Sequence, residues 1–436
     1  MKMLRRKMEE TLLAWKRDAP KKALLVKGAR QVGKTTSIEQ FGKAHYKSFI
    51  EMNFEKNPAF RQIFAGALDA KTIFLNMSAM GLGPLIEHET LVFFDEVQSC
   101  PNARTAIKFL VQDGRFDFVE SGSLLGINYR EVGSFPVGFE TQREMCSLDF
   151  EEFLWAKGIG QEVVDVLKDS LSSQLPLSAA VHTAMMRHFR EFMIVGGMPA
   201  AVNRFLETAD VRKVVQEQKD IIDNYRDDVK KYAGSGKIKV REVFDSIPEQ
   251  LNKKNKRFFF SQLTKEPKLR TYEDSILWLF DAGIASPCYN VSAIAFPLSL
   301  NEKRNLFKVY LNDTGLLTAM SFDGIQSEVL NGNIEINEGA IVENALAEAF
   351  VKKGMKLHYF DRKKPTSMEI DFVLQNRSKI LVLEAKSGSD FEKHDSLDRL
   401  IRQQNVQNPV VFCIDNIHMK DGILYLPYYL CSFLDL

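Results

Sequence analysis

GARQVGKT, running from Gly28 to Thr35, fits the spacing GxxxxGK[ST]. Gly28 and Gly33 let the backbone curl until its N–H groups and a helix N-terminus face phosphate oxygens. A lysine then supplies a cation for the β- and γ-phosphates, and the hydroxyl after it a ligand for Mg²⁺. On this reading Gly28, Ala29, Arg30, Gln31, Val32, Gly33, Lys34, Thr35 and Thr36 bind a nucleoside triphosphate, ATP, with Thr35 also a metal ligand. LVFFDE, Leu91 to Glu96, ends an apolar run in two carboxylates. Two such charges are costly inside a core, so they belong at the carboxyl edge of a sheet, where ligands of α/β proteins sit. Asp95 is expected to hold Mg²⁺ through water, and Glu96 to polarise the attacking water as the catalytic base. FDFVESGS ends with Ser121 and Ser123; Ser123 is placed at the nucleotide, although serines after a strand also serve turns.

A second group of charges lies far downstream. Glu384 and Lys386 are two apart in the apolar run ILVLEAK and therefore share a strand face. Folding MEIDFVLQ back on KILVLEAK about a turn at Arg377-Ser378 sets Asp371 opposite Glu384. Two carboxylates with a lysine beside them make a hard oxygen site for Mg²⁺, where a metal-bound water attacks a phosphodiester and Lys386 orients it. Asp371, Glu384 and Lys386 are the expected catalytic set, with Glu343 on the preceding helix as a further metal contact. A structural acid–lysine pair on a half-buried sheet, or a site that binds nucleic acid without cutting it, fits the same residues.

The elements that must position these groups fall into four stretches. Residues 1–155 alternate apolar runs (ALLVKG, SFIEMNF, LVFFDEV, FDFVESGS) with helical patterns (KTTSIEQFGKAH, ARTAIKFLVQDG), the signature of a parallel sheet covered on both faces. Residues 156–235 are helical, as in ETADVRKVVQEQKDIIDNYRDDVKKY, with GSGK at Gly234 to Lys237 as a break. Residues 236–325 run from helices to a hairpin, SPCYN through FKVYLND, the order of a winged-helix module. Residues 326–436 open with the helix EGAIVENALAEAFVKKG, capped at Gly354, and continue as strands. The fold class is thus α/β. NKKNKRFFFSQLTKEPKLR gathers Lys253, Lys254, Lys256, Arg257, Lys265, Lys268 and Arg270 around one acid, either a phosphate-contacting face for DNA or a solvated loop over Phe258 to Phe260.

With 58 basic and 57 acidic residues among 436, whole-chain charge selects no partner. Five scattered cysteines without a CxxC suit free thiols in a reducing compartment, and the seven histidines lack zinc-ligand spacing. The charged start, MKMLRRKMEETLLAWKRD, has no signal-peptide core, and no run reaches the length of a membrane span. A cytoplasmic protein without membrane partners is expected.

GARQVGKT, LVFFDEVQ, SGSLLGI and FEEFL together resemble a prokaryotic family of AAA-type P-loop ATPases. GGMP, NYRDDVKKY, SIPEQL and NDTGLL resemble that family's companion C-terminal domain. The resemblance covers nearly the whole chain. It implies an AAA-type parallel-sheet ATPase core, a helical lid, a winged-helix module and a terminal α/β domain similar to PD-(D/E)XK nucleases. An arginine finger is expected in cis or from a neighbouring subunit of a homo-oligomer, with Arg130, Arg143 and Arg204 as candidates. Family members usually carry a basic residue after SFPVG where this chain has Phe139, so no finger or sensor role is carried to that segment. Two functions follow: an Mg²⁺-dependent ATPase acting on nucleic acid through a nuclease-like domain, or an ATP-gated switch whose terminal domain is an inert interaction module.

Overall fold

Strands such as ALLV and LVFF, apolar on both faces, need cover on two sides. A computed structural model of the chain describes residues 3–123, 136–232, 236–253, 255–260, 269–322, 324–330, 338–364, 367–404, 406 and 408–434, the side chains of 123, 231–232 and 269–271 excepted. The chain divides into two compact units, Leu4–Cys146 with Asp281–Gly283, and Met1–Met3 with Ser147–Phe280 and Ile284–Leu436.

The first unit runs α1 (Met8–Arg17), β1 (Ala23–Gly28), α2 (Lys34–His45), β2 (Ser48–Asn53), α3 (Ala70–Ala79), β3 (Thr90–Asp95), α4 (Pro101–Asp113), β4 (Asp117–Ser123) and β5 (Glu140–Glu144). Its sheet has the order β2-β3-β4-β1-β5 and every pairing is parallel. All of β3 is buried, and Phe54, Phe64, Phe94 and Phe118 pack with Ile73 and Ile107 of α3 and α4 into one core. Because β4 lies between β1 and β3, the carboxyl ends of all three strands come together on one edge.

The second unit begins with α5 (Phe150–Ala156), α6 (Gln161–Ser173), α7 (Ala179–Val195), α8 (Pro199–Thr208), α9 (Val211–Tyr232), α10 (Lys237–Leu251) and α11 (Leu269–Asp281), whose last residue falls in the first unit. It continues with β6 (Ala285–Val291), β7 (Glu302–Leu311), α12 (Thr314–Ser321), α13 (Gln326–Leu330), α14 (Gly339–Lys352), β8 (Leu357–Arg362), β9 (Met368–Asn376) and β10 (Lys379–Ala385). Last come α15 (Asp395–Gln403), β11 (Val410–Cys413), β12 (His418–Lys420) and β13 (Ile423–Pro427). The eight strands form one sheet in the order β12-β13-β11-β10-β9-β8-β6-β7.

Two features differ from the expected division into lid, winged helix and terminal domain. The β6–β7 hairpin forms as expected, but β6 also pairs in parallel with β8, so the boundary at 325/326 cuts across one sheet. A sheet edge carries a row of unpaired N–H and C=O groups, and the hairpin covers it. The helices of the expected lid are also tied to α12 and α14. Gly197 N–H donates to Asp313 Oδ2 (2.8 Å), the cap of α12, and Leu148 N–H donates to Gly197 O (2.7 Å). A Cβ at Gly197 would lie 2.0 Å from Leu148 O, and Gly196 sits at φ 72°, which accounts for the two glycines of GGMP. Gln218 of α9 donates to Ile194 O and Val195 O, and Asn344 of α14 bonds both backbone groups of Leu311 and donates to Thr314 Oγ1 of α12 (2.9 Å). These buried bonds knit α7, α9, α12 and α14 together. The break at 233–235 lies outside the described residues.

Candidate functional site

The loop after β1 takes its shape from two constraints. A Cβ at Gly28 would lie 2.1 Å from the carbonyl oxygen of Met145, because the chain leaving β5 runs against it. Gly33, at φ 98°, turns the loop into α2, a backbone that disfavours any side chain. Gln31 is also left-handed (φ 64°). Val32 is buried, and its carbonyl accepts a 2.7 Å bond from Arg6 Nη1, while Arg6 Nη2 donates to Cys146 O at 2.7 Å. Arg6, from the charged start of the chain, thus clamps the loop to the end of β5; nothing in the local sequence marked it.

Lys34 opens α2 with its ammonium turned into the loop, donating to Gly28 O (3.1 Å) and Ala29 O (2.8 Å). Burial lowers its pKa to about 8 against the pull of Glu96 and Asp95. Thr35 Oγ1 donates to Asp95 Oδ1 (3.0 Å) and Oδ2 (3.2 Å). Asp95 also accepts from Asn53 Nδ2 (2.6 Å) and from the Ser121 hydroxyl. The end residues of β2 and β3, and Ser121 two residues before the end of β4, therefore converge on one carboxylate beside the loop. Register explains the two additions: Asn53 pairs with Asp95, and Ser121 lies on the strand between β3 and β1. Ser123 pairs with Gly28 at the carboxyl edge. Glu96 follows in a left-handed conformation (φ 53°), which turns it off the strand; its carboxylate accepts from Gln98 Nε2, and burial raises its pKa. Arg30 reaches Glu55 at 3.9 Å, and Thr36 is exposed on the first turn of α2. A hydroxyl and a carboxylate 3.0 Å apart, beside a buried lysine and a cradle of backbone amides, form a donor set that fits Mg²⁺ with a nucleotide polyphosphate.

Of the arginine candidates, Arg130 lies outside the described residues. Arg143 is exposed on β5, and Arg204 pairs with Glu217 (3.4 Å).

In the second unit β9 and β10 pair in the expected register, with Leu383 opposite Phe372 and the next pair Glu384 and Asp371. Asp371, Glu384 and Lys386 share one face and interact: Lys386 Nζ lies 3.0 Å from Glu384 Oε1, and Ala385 N–H donates to Asp371 Oδ2 (3.0 Å). Burial, then the charge of Asp371, raises Glu384 to about 8; burial, then Glu343, raises Asp371. Glu343 of α14 is fully buried at the same cluster. Its neighbours are residues that the sequence pattern did not single out for this cluster. Lys308 of β7 is wholly buried, 3.0 Å from Glu343 Oε1, 3.7 Å from Glu369 and 3.8 Å from Asp371, with its ammonium 5.0 Å from the centre of the Tyr359 ring. Tyr310, on the same strand face, and Lys256 also donate to Glu343. Burial would raise Glu343, but Lys256 and Lys308 hold it at about 2.

Lys308 therefore stands between the carboxylates assigned to a metal, and the residues present do not fit a divalent ion there. Among the described residues no group of three or more His, Cys, Asp or Glu side chains is arranged to hold one. In the basic segment Lys253 pairs with Glu249 (3.0 Å), Lys256 is committed to Glu343, and Phe258 stacks on Phe307. Lys254, Lys265 and Lys268 lie outside the described residues, as does the side chain of Arg270. Also among the described residues, all five cysteines are free, and no helix is long and apolar enough to cross a membrane.

An AAA domain profile matches residues 20–154, and two domains of unknown function match 186–328 and 338–430. No curated protein matches the chain. Among solved structures, the Walker-type ATPase PABY2304 of Pyrococcus abyssi is 14% identical over 73% of this chain and 96% of its own, at a TM-score of 0.42. The ORC1 protein of Aeropyrum pernix, solved in complex with DNA, is 12% identical over 75% and 95% (TM-score 0.29). AMPPCP-bound DnaA from Aquifex aeolicus is 15% identical over 62% and 76% (TM-score 0.29). The profile match, with the five-stranded parallel sheet, marks residues 20–154 as a P-loop domain of the AAA type.

Proposed function

We propose that the chain is an Mg²⁺-dependent ATPase whose nucleotide cycle controls contact with nucleic acid. The observation that carries the reading is the contact of Thr35 with Asp95 beside Lys34. Thr35 and Asp95 would hold the ion, which supplies charge neutralisation on the β- and γ-phosphates. Lys34 binds the phosphates, exchanging the carbonyls of Gly28 and Ala29 for phosphate oxygens. Ser121 and Asn53 orient Asp95. Glu96, once it leaves Gln98, holds the proton taken from the attacking water. Lys34→Ala should leave only weak nucleotide binding, and Glu96→Gln should keep binding and lose about 100-fold or more in turnover, the worth of a general base. Parent-like hydrolysis by both variants would overturn the assignment.

For the second unit the reading is nucleic-acid contact by the basic segment and the strands around Asp371, Glu384 and Lys386. Helix α14, the β8–β9–β10 meander, α15 and the parallel strand β11 support likeness to a nuclease scaffold. Lys308 among the acids favours a site that binds nucleic acid without cutting it. Gel shifts on DNA with and without nucleotide test the contact; unchanged mobility in both states would refute it.

A further inference from the structure

Glu369, Asp371 and Glu384 lie on one face of the second unit's sheet, Glu343 of α14 joins them at that face, and a divalent ion is the cation such a group would ordinarily take. We infer that Lys308 is the resident cation of this cluster, and that the cluster binds no divalent metal while Lys308 is in place. Three observations carry it. The ammonium of Lys308 has no exposed surface and sits 3.0, 3.7 and 3.8 Å from carboxylates of α14 and β9, so it fills the space an ion would share between them. Oxygens of the other three acids are also engaged: Glu343 takes Lys256 and Tyr310, Asp371 Oδ2 takes the Ala385 amide, and Glu384 Oε1 takes Lys386, while Glu369 stands at the exposed rim of the cluster. Among the described residues Glu384 Oε2 is buried without a hydrogen-bond partner, and one such oxygen does not hold an ion that needs several oxygen ligands near 2 Å.

The strand geometry makes the arrangement specific to this fold. Lys308 and Tyr310 are two apart on β7, and Glu369 and Asp371 two apart on β9, so each pair presents both side chains to one face. Cys288 of β6 pairs with Lys308, and Tyr359 of β8 meets its ammonium. The lysine stem thus crosses the strands between β7 and β9 to reach the acids. The hairpin that extends the sheet is what delivers the cation.

The inference concerns this cluster alone and is read by metal binding, so its failure is separate from any failure of ATP hydrolysis or DNA contact. The full-length, nucleotide-free protein is titrated with Mn²⁺, free ion being read by electron paramagnetic resonance, and its melting temperature is followed with and without Mg²⁺. The parent should give no saturable Mn²⁺ site sensitive to Asp371→Asn or Glu384→Gln, and no Mg²⁺ shift in melting. Lys308→Met, which keeps the stem and removes the charge, should gain about one equivalent of Mn²⁺, lost again with Asp371→Asn. A parent equivalent that Asp371→Asn removes would overturn the inference, as would a folded Lys308→Met that gains none. Should Lys308→Met fail to fold, the parent titration decides alone, and a Mn²⁺ ion that survives both acid substitutions counts as absence of binding at the cluster.

Discussion

Raising the pH through 8 should weaken nucleotide binding, through Lys34. Its ammonium lies under the loop, where among the described residues it donates to the carbonyls of Gly28 and Ala29, and burial lowers its pKa to about 8. A polyphosphate in the cradle favours the charged form, so the bound state keeps its proton where the free state has lost it. If the free state titrates at about 8, binding should weaken about tenfold from pH 7 to pH 9 and about tenfold for each further unit, 1.4 kcal/mol per decade. Titration of a fluorescent nucleotide at fixed Mg²⁺ and ionic strength reads the slope. Calorimetry in buffers of different ionisation enthalpy should show about half a proton taken up on binding at pH 8. Lys34→Met should bind weakly and without this slope. A flat parent profile, or the same slope in Lys34→Met, would refute the reasoning. The stability of the nucleotide-free unit moves the other way. With a native pKa below the ordinary ammonium value of 10.5, the unfolded chain binds more protons between about 8 and 10.5, so Lys34's contribution to stability rises with pH across that window.

Arg6→Ala removes two 2.7 Å bonds to the carbonyls of Val32 and Cys146; each charged bond is worth about 1.5–3 kcal/mol, so a fall in melting temperature together with weaker nucleotide binding is expected. If binding is unchanged, Arg6 does not shape the loop. Reversing Lys253 and Arg257 to Glu should weaken DNA binding alike on unrelated sequences and flatten its salt dependence by about one unit of slope for each phosphate no longer neutralised; Lys256 is spared because it neutralises Glu343. An unchanged slope moves the DNA-binding face elsewhere. Gly197→Ala forces a Cβ to within 2.0 Å of Leu148 O and should destabilise the second unit by about 1–3 kcal/mol, read by chemical denaturation, with ATP hydrolysis by the first unit retained. A neutral Gly197→Ala would mean that the junction relaxes at no cost.

The first site was legible because its signals are local. GARQVGKT follows an apolar strand and opens a helix, and the acids of LVFFDE mark a strand end, so sequence order alone sets loop beside carboxylate. Asn53 and Ser121 needed the sheet order, which places β4 between β1 and β3 and aligns Asn53 with Asp95. The β9–β10 register was also legible, because a short turn at Arg377 and Ser378 fixes every pair after it. The β6–β8 pairing was not. It is parallel, joins strands separated by β7, α12, α13 and α14, and leaves no trace in residue spacing. Helices followed by a hairpin then read as a free module, when the hairpin is the edge of the larger sheet.

Lys308 nonetheless left a mark in the sequence. It stands in LFKVYL between Phe307 and Val309, with Tyr310 two residues on, and a charge inside an apolar strand is costly unless something pairs with it. The run therefore demanded an acid partner, which only the folded sheet could identify as Glu343 and its neighbours. The same cost says why the lysine is no incidental contact: breaking a buried pair by removing one member costs about 3–5 kcal/mol, since the other charge is left uncompensated. Removing Lys308 leaves Glu343 with Lys256 and the Tyr310 hydroxyl, and Asp371 and Glu369 side by side on one strand face, two raised carboxyls whose repulsion a divalent ion would relieve. The charge balance that stabilises this sheet is thus also what keeps a metal out of it, and one substitution separates the two roles.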